Sequence, residues 1–110
     1  MTKSELAQTI ENAFKRSDII ETKLRFLTVL SDGTAECCLL GAAYVAIHPQ
    51  LSLTDISTKF DNAALDKNCV EALAEALCIP YELAEKISRM HHTSSATAAS
   101  IVNDLRLGRI

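Results

Sequence analysis

The chain has 110 residues, a formal net charge of −3 and a hydrophobic fraction of 48%. That apolar content, with only three glycines and two prolines, excludes a disordered or low-complexity chain. The length points to one domain over residues 1–110, able to bury roughly two thirds of its unfolded surface.

Three Phe, two Tyr and no Trp leave the core to Ala, Leu, Ile and Val, a composition that favours helices. Charge is unevenly placed. Residues 36–85 hold eight acids against Lys59 and Lys67, a net of −6; residues 86–110 hold four basic groups against Asp104, a net of +3. Such asymmetry can steer a partner or a second copy, but a solvated surface is the better explanation, because small charge blocks rarely mean more.

In chain order, Thr2 and Glu5 are spaced as a capping box for a helix over 3–16. Leu6, Ile10, Ala13 and Phe14 fall on one face of it. Glu11 and Lys15 sit i,i+4 on the other side. Residues 1–16 contain no apolar stretch typical of a signal peptide, so the cysteines are expected to be reduced thiols in the cytoplasm.

Residues 19–34 read two ways. Residues 19–24 favour a second helix. The alternation over Leu24–Leu30 before Asp32-Gly33 also allows a short β-hairpin near 26–37. Residues 36–47 form the expected central helix, apolar on nearly every side and therefore buried on nearly every side. It spans only about 18 Å, too short for a bilayer. Gly41, Ala42, Ala43 and Ala46 keep it slim, so that a neighbouring helix can pack close.

His48-Pro49 ends that helix. Ser52 and Asp55 open a short helix to about Phe60. Asp66 reads as the N-cap of a helix over 67–78 with Val70, Leu73, Ala74 and Leu77 inward. Pro80 opens a helix over 80–90, His91-His92-Thr93-Ser94 connects, and Ser94 or Ser95 caps a last helix over 95–107. Gly108 is placed as the residue that terminates it. The fold class is therefore all-α in the main, a compact bundle of five to six short helices around the central one.

The chemistry-bearing residues are few. Cys37-Cys38 is a vicinal thiol pair that a thiol-dependent enzyme or redox protein could use, but structural core cysteines explain it better. Cys69 and Cys78 lie two and a half turns apart and cannot pair on one helix. His48, His91 and His92 lack the spacing of a metal site, and no nucleotide, phosphate or hydrolase motif occurs. No cofactor is expected. Residues 70–90 resemble a helix-turn-helix, with Ala74 at the helix crossing and Ile79, Ala84 and Ile87 at core positions. Cys78 replaces the usual Gly, Pro80 sits in the turn, and Glu82 and Glu85 oppose Lys86 and Arg89. The acidic balance there disfavours nucleic acid.

The order Glu36-Cys37-Cys38-Leu39-Leu40-Gly41-Ala42-Ala43, then Leu77-Cys78-Ile79-Pro80, then Ile87 and a final helix around Ile101–Leu105, resembles small uncharacterised bacterial and phage proteins. Those carry a Cys-Ala-Leu-Gly-Ala-like segment, a Leu-Gly-Ile-like turn and a closing helix. The resemblance covers residues 32–107 through a handful of positions. Here Cys78 replaces the usual Gly, and His91-His92 stand where an Asn-Asp pair is common. It implies a compact helical domain and assigns no activity or site residue.

The expected function is a non-enzymatic cytoplasmic interaction module of accessory, inhibitor or immunity type, binding another protein or itself. Arg89, His91, His92, Arg106, Leu107, Arg109 and Ile110 form the candidate surface. Leu107 and Ile110 have little chain left to cover them, which points to a homodimer through the last helix.

Overall fold

The computed structural model describes residues 1–23, 25–59 and 67–110. Helix α1, Lys3–Phe14, starts on the capping box the sequence indicates: Thr2 Oγ1 accepts from the Glu5 amide at 3.1 Å, and Glu5 Oε1 accepts from the Thr2 amide at 2.9 Å. Leu6, Ala7, Ile10 and Ala13 are buried, with Phe14 packed at the core's edge.

The next segment is a strand rather than the expected second helix. β1, Ile19–Glu21, pairs parallel with β3, Ala35–Cys37, and β2, Leu27–Val29, pairs antiparallel with β3 on its other side. The hairpin option is therefore realised within a three-stranded sheet of order β1-β3-β2. Two β-branched residues favour the extended form at 19–20, and the pairing with β3 overrides helical periodicity over so short a run. Register sets the faces. Ile19, Ala35, Leu27 and Cys37 point inward and are buried; Ile20, Glu36 and Thr28 line the opposite face. Strand alternation puts Glu21 on the inward side with Ile19.

The central helix begins later than expected, as α2, Leu39–Ile47, because 35–37 is consumed by β3. Cys38 caps it: Sγ accepts from the Gly41 amide at 3.3 Å. Every residue from Leu39 to Val45 is buried. Gly41 does permit a close approach, but the neighbour is the strand-side backbone, not a helix. A Cβ there would lie 2.3 Å from the Phe26 carbonyl oxygen. Tyr44 meets Phe26 edge-on at 6.5 Å and stacks on the His48 ring at 4.2 Å.

Helix α3, Leu53–Lys59, opens with Ser52 Oγ accepting from the Asp55 amide at 3.0 Å. The proposed Asp66 N-cap lies outside the described residues. Helix α4, Lys67–Leu77, buries Val70, Leu73, Ala74 and Leu77. Cys78 ends it in the left-handed region, φ 54°. The Ile79 amide donates to Ala74 O and the Cys78 amide to Glu75 O, so a non-glycine residue performs the usual glycine task.

Helix α5, Tyr81–Thr93, is longer than expected. His91, His92 and Thr93 form its last turn rather than a connection, and Pro80 is the N-cap rather than the first helical residue. Neither Ser94 nor Ser95 caps the last helix. Thr97 and Ser100 form that capping box, with Ser filling the place Glu usually takes, so α6 is Ala98–Arg106. Gly108, φ 72°, terminates it as anticipated: its amide donates to Leu105 O and that of Arg109 to Asp104 O.

Helix α1 packs on α2 on one side and α6 on the other, and α4 and α5 pack against each other and on α2. Among the described residues no helix is long and apolar enough to cross a membrane.

Candidate functional site

A groove of about 620 Å³ runs between α1, β1 and α6. Its floor is apolar: Ile10 and Phe14 from α1, Ile19 from β1, Ala98 and Val102 from α6. Its rim is mostly polar: Glu11 and Lys15 on one wall, Asn103 and Arg106 on the other beside the exposed Ala99, and Glu21 at the sheet end. The sequence produces it through helix periodicity. Ile10 and Phe14 are one turn apart on α1, as are Ala98 and Val102 on α6.

The two walls are clasped at one end. Arg106 donates from one guanidinium nitrogen to Glu11 Oε2 at 2.8 Å and from the other to Gln8 Oε1 at 2.9 Å. Lys15 lies 3.6 Å from Glu11 Oε1. The bond to Arg106 holds the Glu11 carboxyl below its ordinary range, and that bond holds the guanidinium above its own.

At the other end Glu21 organises a polar cluster. A carboxylate can only accept, so His91 Nε2–H donates to Glu21 Oε2, at 2.6 Å. The Ala98 amide donates to the same oxygen at 3.1 Å, which satisfies one exposed donor at the start of α6. Lys23 Nζ donates to the carbonyls of His91, at 3.0 Å, and Ala96. His92 Nδ1–H donates to Lys23 O at 3.0 Å. Glu21, the last residue of β1, and Lys23 just after it therefore tie the end of α5 and the start of α6 to the sheet. His91 is 2% exposed, and that burial pulls its pKa below 6.5 despite the opposing pull of Glu21. It is a neutral donor that fixes the Glu21 carboxylate.

The seven residues expected to share one surface do not share it. Arg106 stands on the groove rim. His91 lies inside, and His92 is half-buried with its ring bonded to the Lys23 carbonyl. Arg89 pairs with Glu85 at 3.2 Å on α5. Beyond the groove's clasped end, Leu107 is 57% exposed, Arg109 lies 3.6 Å from Asp104, and Ile110 packs partly against the core. Sequence reasoning missed Glu21 and Lys23 because a helix over 19–24 points them elsewhere. Glu11 was visible only as half of a local ion pair.

The thiols sit away from the groove. Burial pushes Cys37 up to about 12, with Cys38 adding to it, and pushes Cys38 up to about 11. Neither is a thiolate near neutrality. The helix-turn-helix resemblance has a structural counterpart in α4, the Cys78–Pro80 turn and α5, yet the exposed side of α5 mixes Glu82 with Lys86 and Arg89. Among the described residues no three His, Cys, Asp or Glu side chains converge as metal ligands.

Set against known proteins, the chain matches no protein-family description, no curated protein and no solved structure.

Proposed function

We propose that the protein is a small cytoplasmic interaction module that holds another protein, or a second copy of itself, and performs no chemistry of its own. One observation carries the reading: a pre-formed groove with an apolar floor and a hydrogen-bonding rim lies between two helices clasped by Arg106. Concave apolar surfaces with a few fixed polar groups are the usual form of a binding site. Cys37, Cys38 and Cys78, which form no disulfide among the described residues, fit a reducing compartment. The exposed Leu107 supports self-association through the end of α6. A thiol enzyme is less supported because the Cys37 and Cys38 thiols are protonated and enclosed. A DNA-binding role is less supported because cations on α5 alternate with acids.

Ala99 is an exposed residue of the groove wall, so Ala99→Arg fills the groove without entering the core. Affinity capture with the full chain is expected to recover a defined stoichiometric partner, and Ala99→Arg to lose it while unfolding at the same temperature. Equal recovery by both chains would move the binding surface elsewhere. If the partner is a second copy, sedimentation of the wild type shows concentration-dependent dimerisation that Leu107→Ser weakens. A monomer throughout removes the homodimer.

A further inference from the structure

Resting on that reading of the groove, we propose that its occupant is a partner segment that places a lysine or arginine beside an apolar side chain, with the cation seated on Glu21. Most of the charges in and beside the groove are already spoken for. Glu11 is taken by Arg106 at 2.8 Å and by Lys15 at 3.6 Å. Arg106 is held by Glu11 and Gln8. Lys23 spends its ammonium on two backbone carbonyls. Glu21 differs. Among the described residues both of its donors, His91 Nε2–H and the Ala98 amide, fall on Oε2. Oε1 has no hydrogen-bond partner among the described residues, and the side chain is 34% exposed where it lines the groove.

A carboxylate offers about four acceptor positions, and two neutral donors on one oxygen leave its negative charge and the other oxygen in place. Those donors also lock the group, so a ligand does not have to order it. Beside it lie Ile19, Phe14 and Val102, an apolar floor that matches an aliphatic stem. Lysine and arginine carry an apolar stem under a cationic head and suit such a seat. The rim cations Lys15 and Arg106 already face Glu11, whose charge offsets theirs and weakens the pull on an anionic ligand.

The test uses probes of one shape and three charges: hexylammonium, hexanol and hexanoate, titrated into the isotope-labelled wild-type chain with NMR shifts as readout. Hexylammonium is expected to shift the signals of Ile19, Ala98 and Val102 saturably, and to bind at least about fivefold more tightly than hexanoate. Glu21→Gln, which keeps an acceptor for the Ala98 amide, is expected to abolish that preference. Equal binding of the ammonium and the carboxylate, or no binding of either, overturns the proposal. The comparison on the wild type stands even if Glu21→Gln fails to fold. Should Ala99→Arg abolish partner capture while hexanoate binds as well as hexylammonium, the groove reading survives and the cation assignment falls.

Discussion

Single residues in this protein hold positions that their chemistry does not favour, and these give the sharpest tests. Cys78 adopts φ 54°, a region that costs an L side chain about 1 kcal/mol or more. Cys78→Gly is expected to stabilise the chain by roughly 0.5–1 kcal/mol in denaturant unfolding, after the entropy that glycine adds to the unfolded chain. A loss would show that the side chain makes a contact worth more than the strain. Cys78 is also the exposed thiol, whereas Cys37, Cys38 and Cys69 are buried. A thiol reagent should label one cysteine per native chain quickly and the rest only on unfolding; fast labelling of two or more would contradict the enclosed thiols. His91 sets a pH dependence of known sign. Its folded pKa lies below 6.5, so the unfolded chain takes up the proton first as pH falls. Its stabilising contribution is therefore full above 6.5 and is lost as pH drops toward its folded pKa. Glu21 opposes this shift, while Lys23 and His92 add to it. His91→Gln should flatten the fall in melting temperature between pH 6.5 and the carboxylate range, and an unchanged slope would assign that fall to other groups.

Elements show how far the sequence could be read. Helices α1, α4 and α6 are legible because each carries a full apolar stripe at helical spacing, and α1 also carries its capping box in plain view. The central helix is legible by composition, but its start is not. Residues 35–37, Ala-Glu-Cys, carry no Gly, Pro or other break before the helix that follows, and only pairing with β1 and β2 distinguishes them. β1 itself is three residues long, and its partner lies sixteen residues away in register, Ile19 against Ala35. No local pattern encodes such a pairing, and Glu21 was lost with it. The start of α6 was missed for a different reason: Ser94, Ser95 and Thr97 are all cap formers, and the choice falls to the residue whose partner Ser100 completes the box. Thr97→Ala is expected to cost about 1 kcal/mol in thermal or denaturant unfolding; no measurable cost would mean that the Glu21 bond to the Ala98 amide already anchors that end. Gly41 is the point where α2 touches the Phe26 backbone. Gly41→Ala places a carbon 2.3 Å from a carbonyl oxygen that cannot swing away, so a loss of about 1–3 kcal/mol or more is expected. A cost under about 0.5 kcal/mol would show that the strand moves freely there.

On the scale of the whole molecule, the first helix and the last one complete each other. Ile101, Val102 and Leu105 are buried by α6, and each contributes about 1.5–3 kcal/mol. Together they approach the whole net stability of an ordinary domain of roughly 5–15 kcal/mol. A chain ending at Thr97 should therefore lose its cooperative thermal transition, and a sharp transition retained there would mean that α1 rests on α2 alone. The same dependence fixes a timetable during synthesis. Glu11 leaves the ribosome 95 residues ahead of Arg106, the residue that clasps it. At about 5–20 residues per second, that is roughly 5–20 s in which one apolar side of α1 has no cover. The nascent chain spends that interval as a natural client for chaperones, and a message truncated before α6 would yield a product that proteases recognise as unfinished.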